Sequence, residues 1–203
     1  MSISSLILFA AIYAVAVASP GPGIAALVAR VLARGTVGIG AFIGGFVIGE
    51  LFWFGIAAGG VALLADSLAV VFVVLKYVGA LYLAVLAWKA WTAPVDGITG
   101  APFGGDSPVR AFLGGLVITL GNPKVILFFL ALLPGLVDLD RLTASGFAEI
   151  GITLVLVLSG ILSAYAAAAA RARRIFTSVR ARRAIQRGAG TVMASAAVAI
   201  ATR

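Results

Sequence analysis

The 203-residue sequence contains no cysteine and no histidine, and only 11% of its residues are charged. The absence of cysteine and histidine excludes disulfides, thiol or imidazole catalysis and the common zinc ligands within these residues. Because charged side chains are few and 63% of the residues are hydrophobic, the chain cannot cover a water-soluble surface. The composition therefore predicts an integral membrane protein that needs neither a metal nor another cofactor.

Basic residues are concentrated near the end of the chain. Seven of the fifteen lie between Arg171 and Arg187, and the net charge is +8. A basic segment beside apolar spans is typical of a cytoplasmic connection that faces anionic lipid. We therefore expect the lipid bilayer, and no nucleic acid, as the partner of this segment.

The first apolar run continues past Ser19, which favours a retained span over a cleaved signal peptide.

Apolar runs long enough to cross a bilayer follow one another along the chain. They occupy residues 3–33, 38–65, 68–91, 109–134 and 146–170, and a shorter, weaker run occupies 188–202. The long runs lack the alternation of barrel strands, so we predict an all-α polytopic membrane protein with six transmembrane helices. Lys and Arg border the first, third and fifth connections, which places these in the cytoplasm and both termini in the periplasm. Five spans are the alternative.

Proline and glycine interrupt the first and the fourth run. The interruptions are Ser19-Pro20-Gly21-Pro22-Gly23 and Gly121-Asn122-Pro123-Lys124. Proline removes a backbone donor, so each interruption frees backbone groups inside the membrane. Each lies in the first span of a three-span half, and the two halves enter the membrane from opposite sides. This arrangement predicts one transporter domain over 1–203, built from inverted repeats at about 1–91 and 109–203 with a cytoplasmic linker at about 92–108. Plain helix kinks are the alternative.

Three ionisable residues lie deep in the predicted spans: Glu50, Lys76 and Lys124. Each costs about 2.5 to 3.5 kcal/mol at a helix centre, which favours a functional role. We interpret Glu50 as a counter-ion for a substrate ammonium or as a proton carrier, and Lys124 as a partner for a carboxylate. A Glu50–Lys76 ion pair that only joins two helices is the alternative. The complete predicted substrate site comprises Pro20, Gly21, Pro22, Gly23, Glu50, Lys76, Tyr82, Asn122, Pro123 and Lys124.

Glycine pairs at four-residue spacing fill the second run. They are Gly40 and Gly44, Gly45 and Gly49, and Gly55 and Gly59. This spacing lets helix backbones approach closely. We expect these pairs to pack within the chain, and the sequence leaves a homo-oligomer open. Trp88 and Trp91 are expected at the membrane interface.

These motifs occur in an order that resembles the lysine exporter and homoserine/threonine resistance (LysE/RhtB) family. The matching motifs, over about residues 1–135, are Ser19-Pro20-Gly21-Pro22, Gly49-Glu50, Lys76 to Leu83 with Trp88-Lys89, and Gly121-Asn122-Pro123-Lys124 followed by Phe128-Phe129. Glu50 replaces the commoner aspartate of the family, and Gly23 stands where a polar residue is frequent.

The resemblance implies a secondary exporter driven by the proton gradient. Its substrate would be an amino acid or a similar small zwitterionic metabolite, carried outward across a bacterial inner membrane. The sequence has no Gly-x4-Gly-Lys-Ser/Thr loop, which argues against an ATP-driven pump. The alternatives are a divalent metal or other small-solute transporter of related fold, a membrane-embedded enzyme and an accessory membrane protein. We expect no enzymatic activity.

Overall fold

The structure is a computed structural model, and it describes residues 2–59, 107–139 and 142–175 together with scattered positions at 74–92 and 183–201. Every regular element within these residues is helical, as predicted. In chain order the elements are α1 (Ile3–Ala18), α2 (Pro22–Arg34), α3 (Ile39–Ala58), α4 (Pro108–Leu120), α5 (Pro123–Leu127), a π-helical turn (Phe128–Leu132), α6 (Leu133–Leu136) and α7 (Ala144–Ile175).

Two of these helices, α3 and α7, are each long and apolar enough to cross a membrane alone. The 20 residues of α3 extend over about 30 Å, the thickness of a bilayer core. Two bent pairs pass the same test when each is counted as one broken span. The bend between α1 and α2 is 57°, and the bend between α4 and the segment Pro123–Leu136 is 54°. The described part of the chain therefore contains two to four candidate spans.

The first predicted interruption separates α1 from α2. Ser19 and Gly21 have extended backbone conformations, and Pro22 occupies the first turn of α2, where a missing N–H costs no helical hydrogen bond. The second interruption separates α4 from α5. There Asn122 is extended, and its side-chain oxygen accepts a hydrogen bond from the Lys124 N–H at 3.1 Å. Both interruptions are therefore true helix breaks.

The helices α3 and α4 cross with their backbones in direct contact, and glycine at the crossing makes this possible. A β-carbon on Gly45 would overlap the carbonyl oxygen of Phe112, and one on Gly115 would overlap the carbonyl oxygen of Phe42. A β-carbon on Gly49 would lie only 2.8 Å from the side chain of Thr119. The glycine-rich second span thus packs within the chain, as expected.

The other predicted glycine positions contribute less to this crossing. A β-carbon on Gly40 or Gly55 would meet nothing within 4 Å, and one on Gly44 would make only an ordinary contact with Phe112 at 3.8 Å. Among the predicted pairs, Gly45 and Gly49 therefore provide the close approach between α3 and α4.

The long helix α7 packs against α1, α2 and α3. Its buried face consists of Ile150, Leu154, Leu158, Leu162, Ala166 and Ala169. Near its end, Arg173 reaches the turn between α2 and α3, where its guanidinium lies against Gly35. Gly35 and Gly38 have φ angles of 75° and 71°, which glycine adopts without strain. The α2–α3 connection and the start of the basic segment therefore lie side by side.

The described positions of the third and sixth predicted spans are helical and in contact with each other. The indole Nε1 of Trp91 donates to the carbonyl oxygen of Arg187 at 3.0 Å. A β-carbon on Gly190 would overlap the same indole ring. Trp88 is exposed, and its expected position at the membrane interface stays a prediction. The predicted site residues Lys76 and Tyr82 lie outside the described residues.

Candidate functional site

One cavity of about 1000 Å³ lies between the two helix breaks. This volume is at the upper end of the range usual for small-molecule sites. The structure brings eight of the ten predicted site residues to its wall: Pro20, Gly21, Pro22, Gly23, Glu50, Asn122, Pro123 and Lys124. Residues more than 100 positions apart in sequence thus surround one space.

Glu50 supplies an acid to this cavity. It belongs to the buried face of α3 and is 5% exposed. The preceding residue, Gly49, fixes the helix against Thr119 of α4, so the position of Glu50 depends on the helix crossing. Its Oε2 accepts a hydrogen bond from the hydroxyl of Tyr13. The described residues supply no hydrogen-bond partner for its Oε1, which leaves one oxygen available to a solute.

Tyr13 also lines the cavity, although the sequence did not predict it there. It lies in the middle of the first apolar run, six residues before the break, and its side chain is buried. A tyrosine hydroxyl in apolar surroundings needs a hydrogen-bond partner. That requirement was a usable signal, but the partner on another helix could not be identified from spacing.

Lys124 reaches from the second break to the first. Its Nζ donates to the carbonyl oxygen of Ser19 at 2.5 Å. The neighbouring carbonyl oxygen, of Ala18, accepts from the hydroxyl of Tyr165 on α7 at 2.8 Å. These donors satisfy carbonyls that the end of α1 leaves open, and an ammonium suits the negative end of a helix. Lys124 therefore has a structural role beside the predicted role toward a carboxylate.

Asn122, in the second break, places its side-chain amide beside the start of α2. It is 5% exposed, and its oxygen caps its own helix α5. Its Nδ2 lies 3.7 Å from the place that a β-carbon on Gly23 would take. No partner for this nitrogen is found among the described residues. The N-terminus of α2 likewise has no side-chain cap, so hydrogen-bond donors converge at this point.

The remaining wall of the cavity is largely apolar. It includes Ala16, Val17, Ile24, Phe46, Phe128, Phe129, Leu132, Leu158 and Leu162. Among the described residues, Glu50 and Lys124 are the charged side chains of the lining, and no group of three acidic residues could hold a metal ion. The arrangement suits a small solute that carries both charges and an apolar part.

Comparison with known proteins places this sequence in a family. Residues 14–203 match the family described as LysE type translocator. The match includes the last third of the chain, where the sequence motifs gave little resemblance. No solved structure gives a significant match.

Three curated relatives illustrate the similarity. An uncharacterized membrane protein of Synechocystis sp. is 34% identical over 60% of this chain and 59% of its own length. A leucine efflux protein of Enterobacter sp. is 34% identical over 58% of this chain and 54% of its own length. An uncharacterized membrane protein of Vibrio cholerae is 31% identical over 79% of this chain and 78% of its own length.

The chain thus spans little more than half the length of the first two relatives. The family match nevertheless extends over nearly the whole chain, and the relative from Vibrio cholerae aligns over most of both proteins. The chain therefore belongs to the LysE type translocator family.

Proposed function

We propose that this protein is a secondary transporter that exports an amino acid, or a similar small zwitterionic metabolite, across the bacterial inner membrane. The observation that carries the proposal is the cavity between the two breaks. Its wall combines a buried acid and a buried amide, and an ammonium lies beside them. Among the described residues, one oxygen of the acid and the N–H groups of the amide have no hydrogen-bond partner. A zwitterion needs both kinds of partner.

The substrate ammonium is assigned to Glu50. In the described part of the chain, Glu50 receives a hydrogen bond from the neutral phenol of Tyr13, which does not neutralise a carboxylate. A cation that enters the cavity would therefore gain a charge-assisted hydrogen bond in surroundings of low dielectric.

The substrate carboxylate is assigned to the donors between the breaks. The Asn122 amide, the uncapped N-terminus of α2 and Lys124 all line this part of the cavity. Broken helices of transporters commonly direct such N-termini at anionic groups. The Lys124 ammonium has three N–H groups, so it can contact a carboxylate while it still donates to Ser19.

The substrate side chain is assigned to the apolar wall near Phe46, Phe128 and Leu158. An apolar side chain is favoured there because the described wall offers it no further charged partner. Two relatives, from Enterobacter sp. and Klebsiella pneumoniae, are named leucine efflux proteins, which supports a substrate of this kind.

Six spans in two inverted repeats form the proposed architecture, with the repeats at about 1–91 and 109–203. In such an architecture the first span corresponds to the fourth, and the second span corresponds to the fifth. A contact between the second and fourth spans therefore implies an equivalent contact between the fifth and first spans. Both contacts occur, as α3 against α4 and as α7 against α1 and α2. The proximity of Arg173 to Gly35 supports first and fifth connections on one side, which we assign to the cytoplasm with both termini periplasmic.

Proton coupling is assigned to Glu50. A carboxyl that is buried yet open to a solute cavity can carry a proton in one facing state and bind the substrate ammonium in another. The alternative is a structural ion pair with Lys76. These two roles differ in what happens when the carboxyl is replaced by an amide of the same shape.

The test begins with a metabolite efflux profile of cells that express the wild type, Glu50→Gln or Glu149→Gln. Glu149 is the matched control because this acid of α7 does not line the cavity. The metabolites that the wild type exports are then followed in proteoliposomes. Glu50→Gln should retain some solute exchange but lose accumulation driven by an imposed pH gradient, whereas Glu149→Gln should behave as wild type. Gradient-driven accumulation by Glu50→Gln at the wild-type rate per folded molecule would refute the proton-carrier role.

A further inference from the structure

Tyr13 lies against the cavity and is held from two sides by aromatic rings. Its side chain is 1% exposed. It stacks on Phe9 with ring centres 5.9 Å apart and an interplanar angle of 3°, and its ring centre lies 5.4 Å from that of Phe128. These contacts fix the orientation of the Tyr13 ring and therefore the position of its hydroxyl oxygen.

The Tyr13 hydroxyl donates a hydrogen bond to the Oε2 atom of Glu50. A carboxylate has two oxygens, and each can accept hydrogen bonds. When one oxygen is held by a fixed donor, the plane of the carboxylate is fixed and the other oxygen has a defined direction. Because Glu50 lines the cavity and its Oε1 has no partner among the described residues, Oε1 remains for the solute.

The chemical nature of the donor matters as much as its position. A lysine or arginine in place of Tyr13 would orient the carboxylate but also cancel its charge. A phenol is neutral near pH 7, so it orients Glu50 and leaves the negative charge to be matched by a cation. The ammonium of Lys124 lies on the same cavity and attracts the Glu50 carboxylate, but its hydrogen bond goes to the carbonyl oxygen of Ser19 and not to the acid.

We propose that Tyr13 is the positioning residue of the cation subsite: its hydroxyl holds Oε2 of Glu50 so that Oε1 receives the substrate ammonium. This inference rests on the proposed function for the identity of the cation. The orientation of Glu50 by Tyr13 rests on the geometry alone, and each can be tested separately.

The main variant is Tyr13→Phe, which keeps the ring between Phe9 and Phe128 and removes only the hydroxyl. Tyr165→Phe is the matched control, since it removes a hydroxyl that bonds the carbonyl of Ala18 and not the acid. A lost hydrogen bond to a charged group corresponds to about a tenfold weaker binding, so Tyr13→Phe should raise KM for the exported amino acid about tenfold. Vmax per folded molecule should change much less. Tyr165→Phe, which removes a bond at the first break and not at the acid, should act on Vmax and leave KM within about twofold.

A double variant separates positioning from simple stabilisation. If Tyr13 acts through Glu50, adding Tyr13→Phe to Glu50→Gln should raise KM by much less than it does in the wild type. An equal rise in both backgrounds would overturn the proposal, because the hydroxyl would then act independently of the acid.

A second measurement needs no substrate. Dicyclohexylcarbodiimide modifies buried carboxyl groups, and mass spectrometry of the Glu50 peptide from native membranes reports the rate. Tyr13→Phe should label several-fold faster than the wild type because Oε2 has lost its donor, and Tyr165→Phe should label at the wild-type rate. If no amino acid is exported but labelling responds as expected, the proposed function fails while the positioning role stands. Equal labelling of both tyrosine variants would refute the positioning role.

Discussion

The crossing of α3 and α4 offers a sharp test of how packing supports the cavity. Replacement of Gly45 by alanine adds a β-carbon that would overlap the Phe112 carbonyl oxygen and lie 2.7 Å from the Leu116 nitrogen. Both are backbone atoms of a regular helix and cannot move alone, so the two helices must separate by about 1 Å to restore ordinary contact. Such a gap forfeits roughly a quarter to a half of the dispersion energy of the contacts it opens. We expect a destabilisation of about 1 to 3 kcal/mol.

Gly55→Ala provides the matched control within the same helix. Its β-carbon would meet nothing within 4 Å, so this variant should gain up to about 1 kcal/mol from the better helix propensity of alanine. Thermal and denaturant unfolding of the two purified variants in one detergent measures the difference. Gly45→Ala should also lower transport per folded molecule, because α3 carries Glu50. If the two variants unfold alike, the close crossing is not a determinant of stability and our account of the second span is wrong.

Two further predictions concern the break and the topology. Lys124→Met should weaken transport of carboxylate-bearing substrates well beyond its effect on membrane insertion. It should also lower the stability of the protein, because the carbonyl of Ser19 loses its donor. Full export by a well-expressed Lys124→Met variant would favour a plain helix kink. Since the chain has no cysteine, single cysteines at Thr202 and Ser178 can be probed with an impermeant thiol reagent in intact cells. Labelling is expected at Thr202, and labelling at Ser178 alone would reverse the predicted orientation.

The breaks could be read from the sequence because their cause is local. Proline cannot continue a helix and also restricts its preceding residue, whatever surrounds it. The burial of Glu50 followed in the same way from its position inside an apolar run. The family resemblance rested on these same local motifs, and the family match confirms it.

The partners across helices could not be read in this way. Whether Glu50 meets Tyr13 depends on the rotation of α1 relative to α3, and the amino group of Lys124 meets a carbonyl 105 residues away. The glycine spacing has the same limit. It shows that α3 has a small-residue face, but only the position of α4 decides that Gly45 lies at the contact and Gly55 does not. The roles of Lys76 and Tyr82, the six-span count and the inverted repeats stay predictions.

The two breaks differ in how their backbone groups are satisfied, and this difference has a mechanical consequence. The second break caps itself, because the Asn122 side chain accepts from the Lys124 N–H two residues away. The first break depends on donors from elsewhere, with Lys124 bonded to Ser19 and Tyr165 bonded to Ala18. A movement that separates α1 from these two donors would therefore leave two carbonyls unpaired inside the membrane, which is costly unless water or a solute replaces the donors. The second break keeps its own cap when it moves, but Ser19 keeps its Lys124 donor only if the end of α1 moves with it. Opening of the cavity is consequently cheapest when the end of α1 moves together with Lys124 and Tyr165, or when solute and water enter as the donors leave.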